Sequence, residues 1–224
     1  PKGYSDKCVE HLRKITNMDI SLAENLVEAT QDTGAFVMYS SAIKRLAIKL
    51  SKICNDLRLL SSGPRTGLNE INLPPMQPGS SIMPGKVNPV IPEVVNQIAF
   101  KVIGNDLTVT LGAEAGQLEL NVMEPVIVQS IFESISMLAN GMSTLKYKCV
   151  DGITANEEHC AHLVKNSIGL ITALNPVLGY ETSTQLAKEA LDNNRGVYEL
   201  VLEKGLLSEE ELDKLLAPEN MVGK

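Results

Sequence analysis

Between Gly79 and Pro89 the chain reads GSSIMPGKVNP, which sets two hydroxyls (Ser80, Ser81), an ammonium (Lys86) and an amide (Asn88) close together. A serine hydroxyl is a poor base. It becomes useful only where cations and oriented N–H groups stabilise its oxyanion. This stretch supplies those components: Lys86, backbone beside two glycines, and the positive end of the helix expected after Pro89. Lys86 and Asn88 have the chemistry to hold a carboxylate by charge and hydrogen bonds. A plainer reading is a turn whose polar groups cap the next helix, with Asn88 as the capping residue. The residue types alone fit both.

Other polar groupings carry less. His159 and His162 lie three residues apart, on one face of an expected helix, with Glu158 and Cys160 beside them. A metal pair has that spacing, but no third and fourth ligand is evident, so we read solvated or capping side chains and expect no metal site. His11 stands alone in a charged helix. Glu119 and Glu124 flank LNVM; two acids by themselves read as structural. Gly112 and Gly116 form a GxxxG pattern, which in a water-soluble chain means close helix packing. No phosphate-binding or dinucleotide-binding fingerprint is present, so no organic cofactor is expected.

The elements that must position these residues are helical. Apolar residues make up 44% of 224, which supports a sizeable core. Aromatics are 4% and Trp is absent, so that core is aliphatic. The net charge of −7 argues against a broad nucleic-acid-binding face. Cys8, Cys54, Cys149 and Cys160 form neither CxxC pairs nor a disulfide framework, which points to reduced thiols and a cytoplasmic location. The longest uncharged apolar stretch, 166–180, is too short to span a bilayer and contains Pro176. No signal peptide is visible, and a first residue of Pro1 fits a fragment or a processed chain.

The clearest pattern is a seam of Phe36, Tyr39, Ile43, Leu46, Leu50, Ile53, Leu57 and Leu60, alternating in steps of 3 and 4. A lone helix cannot bury it, so partner helices are expected. Two more long helices follow. One opens at Pro89 or Pro92, with Ile91, Val95, Ile98 and Val102 on one face. The other starts at Pro125, with Ile127, Ile131, Ile135, Leu138, Met142 and Leu145 apolar. Ahead of the long helices we expect a helix over 5–16 and another from Ser21, where Ser21 and Glu24 form a capping-box pattern. Between 61 and 92 the chain is rich in Pro and Gly without helical period, and a loop of that length is usually functional or disordered. Its polar content favours function. Beyond DGITANEE, shorter helices are expected near 155–165, 167–174, 181–192, 196–203 and 208–216, with capping-box patterns at Thr154/Glu157 and Ser208/Glu211. The fold class is therefore all-α: a long-helix bundle over 1–152 carrying a loop at about 61–92, then a small helical domain over 153–224. No strand is expected.

GSSIMPGKVNP resembles the signature of the fumarase/aspartase superfamily, and the likeness extends through KICNDLRLLSSGPRTGLNEINLP, VIPEVVNQIAFKVIGNDLTVT, EAGQLELNVMEPVI and the DGITAN segment. GLNEI, NPVIPEVVNQ and AEAGQLELNVMEPVI resemble the aspartate ammonia-lyase branch, whereas the tail PENMVG resembles class II fumarases. The resemblance implies abstraction of a proton next to a carboxylate, an aci-carboxylate intermediate, and loss of the neighbouring leaving group to give fumarate. Ser80 matches the family's base, and Ser81 a contact to the carboxylate that gains charge. Lys86 and Asn88 match groups that hold the other carboxylate, and Glu93 matches the acid that partners a histidine from another segment. The substrate implied is a small dicarboxylate, L-aspartate, with class II fumarase as the alternative. A non-catalytic helical assembly module is the reading from another class. The resemblance covers the C-terminal half of family proteins. It implies homotetramers with sites shared among three subunits, and a half-chain inactive alone. Some aspartases respond to divalent cations; no dedicated site is legible here.

Overall fold

The computed structural model describes residues 1–79, 82–83, 85–217 and 220. Its contacts divide the chain into two units, one of 1–59 with 73–152 and one of 60–72 with 153–224.

The first unit begins with α1 (Tyr4–Thr16) and α2 (Leu26–Gln31), then α3 (Gly34–Leu60), whose last residue falls in the second unit, then α4 (Val90–Glu114) and α5 (Glu124–Lys148). At 27 residues α3 is about 40 Å long. The Ser21 capping box does not form. Asn25 caps α2 instead, its side chain accepting from the N–H groups of Val27 and Glu28 at 3.0 and 3.1 Å. A pattern of four residues reports only local compatibility, and a better-placed amide took the role.

The expected seam on α3 is only half used. Ile43, Leu50 and Leu57 pack against the core, while Tyr39, Leu46 and Ile53 remain exposed. The fully enclosed positions are Ser40, Ala47 and Cys54, a row of small residues at a spacing of seven. The line that α3 turns to the core thus runs along this row, and the longer residues lie on either side of it.

Three apolar clusters follow one another along the helices. Val109, Ile127 and Ile131 form the first, with Val37 and Ile43 against them. Ala47, Ala99, Val102 and Leu138 form the second, and Cys54, Val95, Leu145 and Cys149 the third. Gly112 serves the close packing read from the GxxxG pattern: a Cβ there would lie 2.9 Å from Cγ1 of Ile127. Of the apolar positions expected on α5, Ile135 and Met142 are exposed.

Polar groups occupy the bundle interior between these clusters. Asp106 is 4% exposed and accepts from Ser40 Oγ at 2.8 Å and Lys44 Nζ at 2.5 Å. Asn105 donates to Glu133 and Ser134, and Lys101 pairs with Glu133 at 3.0 Å. The amide and then the ammonium hold the Glu133 carboxyl below its ordinary range.

The second unit contains α6 (Glu157–Lys165), α7 (Leu170–Leu178), α8 (Tyr180–Asp192), α9 (Val197–Glu203) and α10 (Glu209–Leu215). Their core is Leu170, Leu174, Leu186, Ala190, Val197, Leu200, Val201 and Leu212. The Ser208/Glu211 capping box forms in both directions. That at Thr154/Glu157 does not, because Thr154 is drawn into a strand. β1 (Ile71–Asn72) and β2 (Thr154–Ala155) pair antiparallel, Ile71 opposite Ala155 and Asn72 opposite Thr154. Two residues per strand are too few to show a period in sequence, which is why no strand was expected. Pro176 lies inside α7 rather than ahead of a new helix. Among the described residues no helix is long and apolar enough to cross a membrane.

Candidate active site

The site loop leaves α3 after Leu60 and rejoins the bundle at α4. Its first part is tied to the second unit by backbone. Asn69 N–H donates to Ser62 O at 2.8 Å, and Glu70 N–H to Leu60 O at 2.9 Å. Asn156 spans the pair of strands, its N–H on Glu70 O and its side-chain amide on Asn69 O at 2.8 Å. His159 donates from Nε2 to Leu68 O at 2.8 Å. A carbonyl only accepts, so Nε2 carries a proton, and this histidine spends it on the loop backbone rather than on solvent or a helix cap. His162 lies within reach of the Asn166 side chain. Among the described residues no three His, Cys, Asp or Glu side chains are grouped to hold a metal ion.

The second part of the loop is closed across its own base. Gly79 N–H donates to Lys86 O at 2.8 Å, and Asn88 Nδ2 donates to Gly79 O at 3.1 Å. Only glycine fits there, since a Cβ on Gly79 would lie 2.2 Å from Lys86 O. Gly85 turns the chain at φ 80°. The result is a pocket of about 450 Å³ lined by Pro75, Met76, Gln77, Gly79, Lys86 and Val87, among others.

Each sequence candidate can now be placed. Ser80 and Ser81 lie outside the described residues. Lys86 is exposed and lines the pocket. Asn88 is half-buried; it does not cap α4, whose N-cap is Pro89 without a side-chain bond, and it spends its amide on the loop base instead. Glu93 is half-buried in the first turn of α4. Lys86 and Asn88 thus share one loop, and Glu93 stands at the head of the helix that follows. A pocket with a cation on its wall suits an anionic ligand.

Sequence reasoning missed the polar cluster beneath this helix head. Asn96, 3% exposed, bonds to Ser51, Asn55 and Arg58 of α3. The signal in sequence is faint: Asn96 interrupts VIPEVVNQIAF, while Ser51, Asn55 and Arg58 are three of many polar residues on α3.

The chain resembles known proteins along its length. A family model described as "Lyase" matches residues 1–104, and one described as "Fumarase C C-terminus" matches 170–223. A relative from Pseudomonas aeruginosa named aspartate ammonia-lyase is 63% identical over 98% of this chain and 46% of its own length. The chain thus spans about half the length of the curated relatives it matches. Among solved structures, a Brucella melitensis protein described as fumarate lyase:delta crystallin, bound to cobalt, superposes with a TM-score of 0.92. It is 52% identical, over 100% of this chain and 48% of that one. The class II fumarase of Schistosoma mansoni gives a TM-score of 0.85 at 33% identity, over 99% and 49%. An all-α fold with this loop, and identity of that level along the chain's length, leave one assignment: the chain belongs to the fumarase/aspartase superfamily.

Proposed function

We propose that the protein carrying this chain is an aspartate ammonia-lyase, converting L-aspartate to fumarate and ammonia. The observation that carries the reading is the 63% identity to a relative of that name over 98% of the chain. The geometry supports it. A substrate with two carboxylates needs a local cation, and Lys86 supplies one on the pocket wall. Asn88 stands on the same loop base.

In the proposed reaction Ser80 takes a proton from the carbon next to one carboxylate. That carboxylate becomes a doubly charged aci-carboxylate, contacted by Ser81. Lys86 and Asn88 hold the other carboxylate. The C–N bond then breaks, the electron pair leaves with nitrogen, and a carbon–carbon double bond forms. Glu93 orients the histidine supplied by another segment. Donors fixed in advance matter most here, since losing one typically costs about 10²–10³ in rate. The substrate class is a small dicarboxylate, and the working form is a homotetramer in the cytoplasm.

The second reading is a class II fumarase, favoured by the match of residues 170–223 to the fumarase C-terminal model. One experiment separates them. The full-length protein is given L-aspartate and L-malate in parallel, and fumarate is followed by ultraviolet absorbance, with Ser80→Ala as control. We expect fumarate from aspartate only, lost in the variant. Fumarate from malate only would replace the lyase by the hydratase, and silence on both would move the substrate elsewhere in the superfamily.

A further inference from the structure

We propose that Asn96 is a positioning residue for this site, acting through Glu93; the inference rests on the reading of the loop given above. Glu93 stands in the first turn of α4, a turn with no side-chain N-cap. Its carboxylate makes no hydrogen bond or ion pair among the described residues, so its placement is inherited from the helix backbone. Asn96 follows three residues later, which brings its side chain to the same face as that of Glu93.

Asn96 is the directional tether of that backbone. Its Oδ1 accepts from Arg58 Nη1 at 3.3 Å. Its Nδ2 lies 3.0 Å from Ser51 O, 2.8 Å from Ser51 Oγ and 3.1 Å from Asn55 Oδ1. The orientation of the amide is fixed by its partners, since a guanidinium only donates and a carbonyl only accepts. The apolar contacts nearby, Val95 against Cys54 and Leu145, hold α4 close but tolerate small rotations and slides. Hydrogen bonds to three successive turns of α3 do not. Ser51, Asn55 and Arg58 lead up to the end of α3, where the loop departs, and Asn96 lies two turns into the helix where it returns. Asp106 ties the far part of α4 to Ser40 and Lys44 of α3, so at this end the buried Asn96 amide is what holds α4 against α3 and fixes the rotation of the turn that presents Glu93.

Asn96→Ala removes the directional bonds of a buried amide; its partners Asn55 and Arg58 are exposed and can turn to water, so the change is felt in placement more than in stability. A positioning error of about 1 Å is enough to cost about 10²-fold in rate. The test uses the full-length protein and L-aspartate, or L-malate if that is the substrate it turns over. Asn96→Ala is expected to lower kcat/KM by about 10–100-fold, mostly in kcat, as loss of a supporting partner does. The decisive measurement is the double variant Glu93→Gln/Asn96→Ala. If Asn96 acts through Glu93, the double variant is no slower than Glu93→Gln alone, and the pH profile of Asn96→Ala resembles that of Glu93→Gln. Losses that multiply, with a wild-type pH profile in Asn96→Ala, would reduce Asn96 to general stability and overturn the inference. Should the alanine variant not fold, Asn96→Asp keeps the question open to measurement. Its carboxylate can accept from Ser51 Oγ and the Asn55 amide and pair with Arg58 but has no donor for Ser51 O, so activity should fall less than in Asn96→Ala and stay within about tenfold of wild type. A larger loss in a folded Asn96→Asp whose combination with Glu93→Gln is multiplicative would also overturn it. A wild-type protein silent on both substrates would instead sink the reading of the site itself.

Discussion

At the scale of residues, Lys86 carries the clearest single expectation. It stands on the wall of the pocket with its backbone clasped to Gly79, so its side chain springs from a fixed base. A charge-assisted bond to a carboxylate contributes about 1.5–3 kcal/mol. Lys86→Ala in the full-length protein should therefore raise KM for the dicarboxylate by about 10–100-fold, with the fold unchanged by circular dichroism. Lys86→Arg should recover part of that affinity, since charge returns but the larger planar head must find a new pose. Equal KM in wild type and Lys86→Ala would remove the residue from the substrate clamp. Asn88 shows why residue type alone left two readings open. An asparagine ahead of a helix reads as a cap, yet here its amide donates across the loop, a partner nine residues away that only the folded loop reveals.

At the scale of elements, the enclosed row on α3 has a titration consequence. Cys54 and Cys149 share the third apolar cluster, and burial pushes the Cys54 thiol from 9.0 up to about 11. The native state therefore holds that proton after the unfolded chain has released it. Stability from this group is complete below pH 9.0 and declines as pH rises through about 11. Urea unfolding of wild type against Cys54→Ala across that window should show the steeper loss in wild type; parallel slopes would contradict it. Much of this element level was legible beforehand. The prolines at the heads of α4 and α5, the periodicity of Ile91, Val95, Ile98 and Val102, and the Ser208 cap all told their story locally. The misreadings share one physical cause, competition from partners distant in sequence. Thr154 was claimed by a strand across from Asn72, and the enclosed line of α3 fell on Ser40, Ala47 and Cys54, which leaves Tyr39, Leu46 and Ile53 exposed. Asn96 went unnoticed because its meaning depends on three side chains about forty residues earlier.

At the scale of the whole molecule, α3, α4 and α5 bury one side of themselves and expose much of the rest. Phe100, Leu107 and Leu111 on α4 and Phe132 on α5 are each more than half exposed. These faces agree with the proposed tetramer, in which bundle helices pack together, and with a site completed by other segments. The 224-residue span, purified alone, should accordingly give no fumarate from L-aspartate, while the full-length protein does; turnover by the span would show that everything needed lies within it. A different consequence follows from how the chain is threaded. The second unit is assembled from two separate stretches, with Leu60–Asn72 lying in sequence between two helices of the first, and β1 in one stretch pairs with β2 in the other. No single cut in the gene yields it whole. A piece beginning at Ile153 would carry β2 without its partner, and Asn156 and His159 without the carbonyls of Asn69 and Leu68. The two units are thus bound as one heritable part: neither can be shuffled, fused or lost as a contiguous cassette without breaking the other.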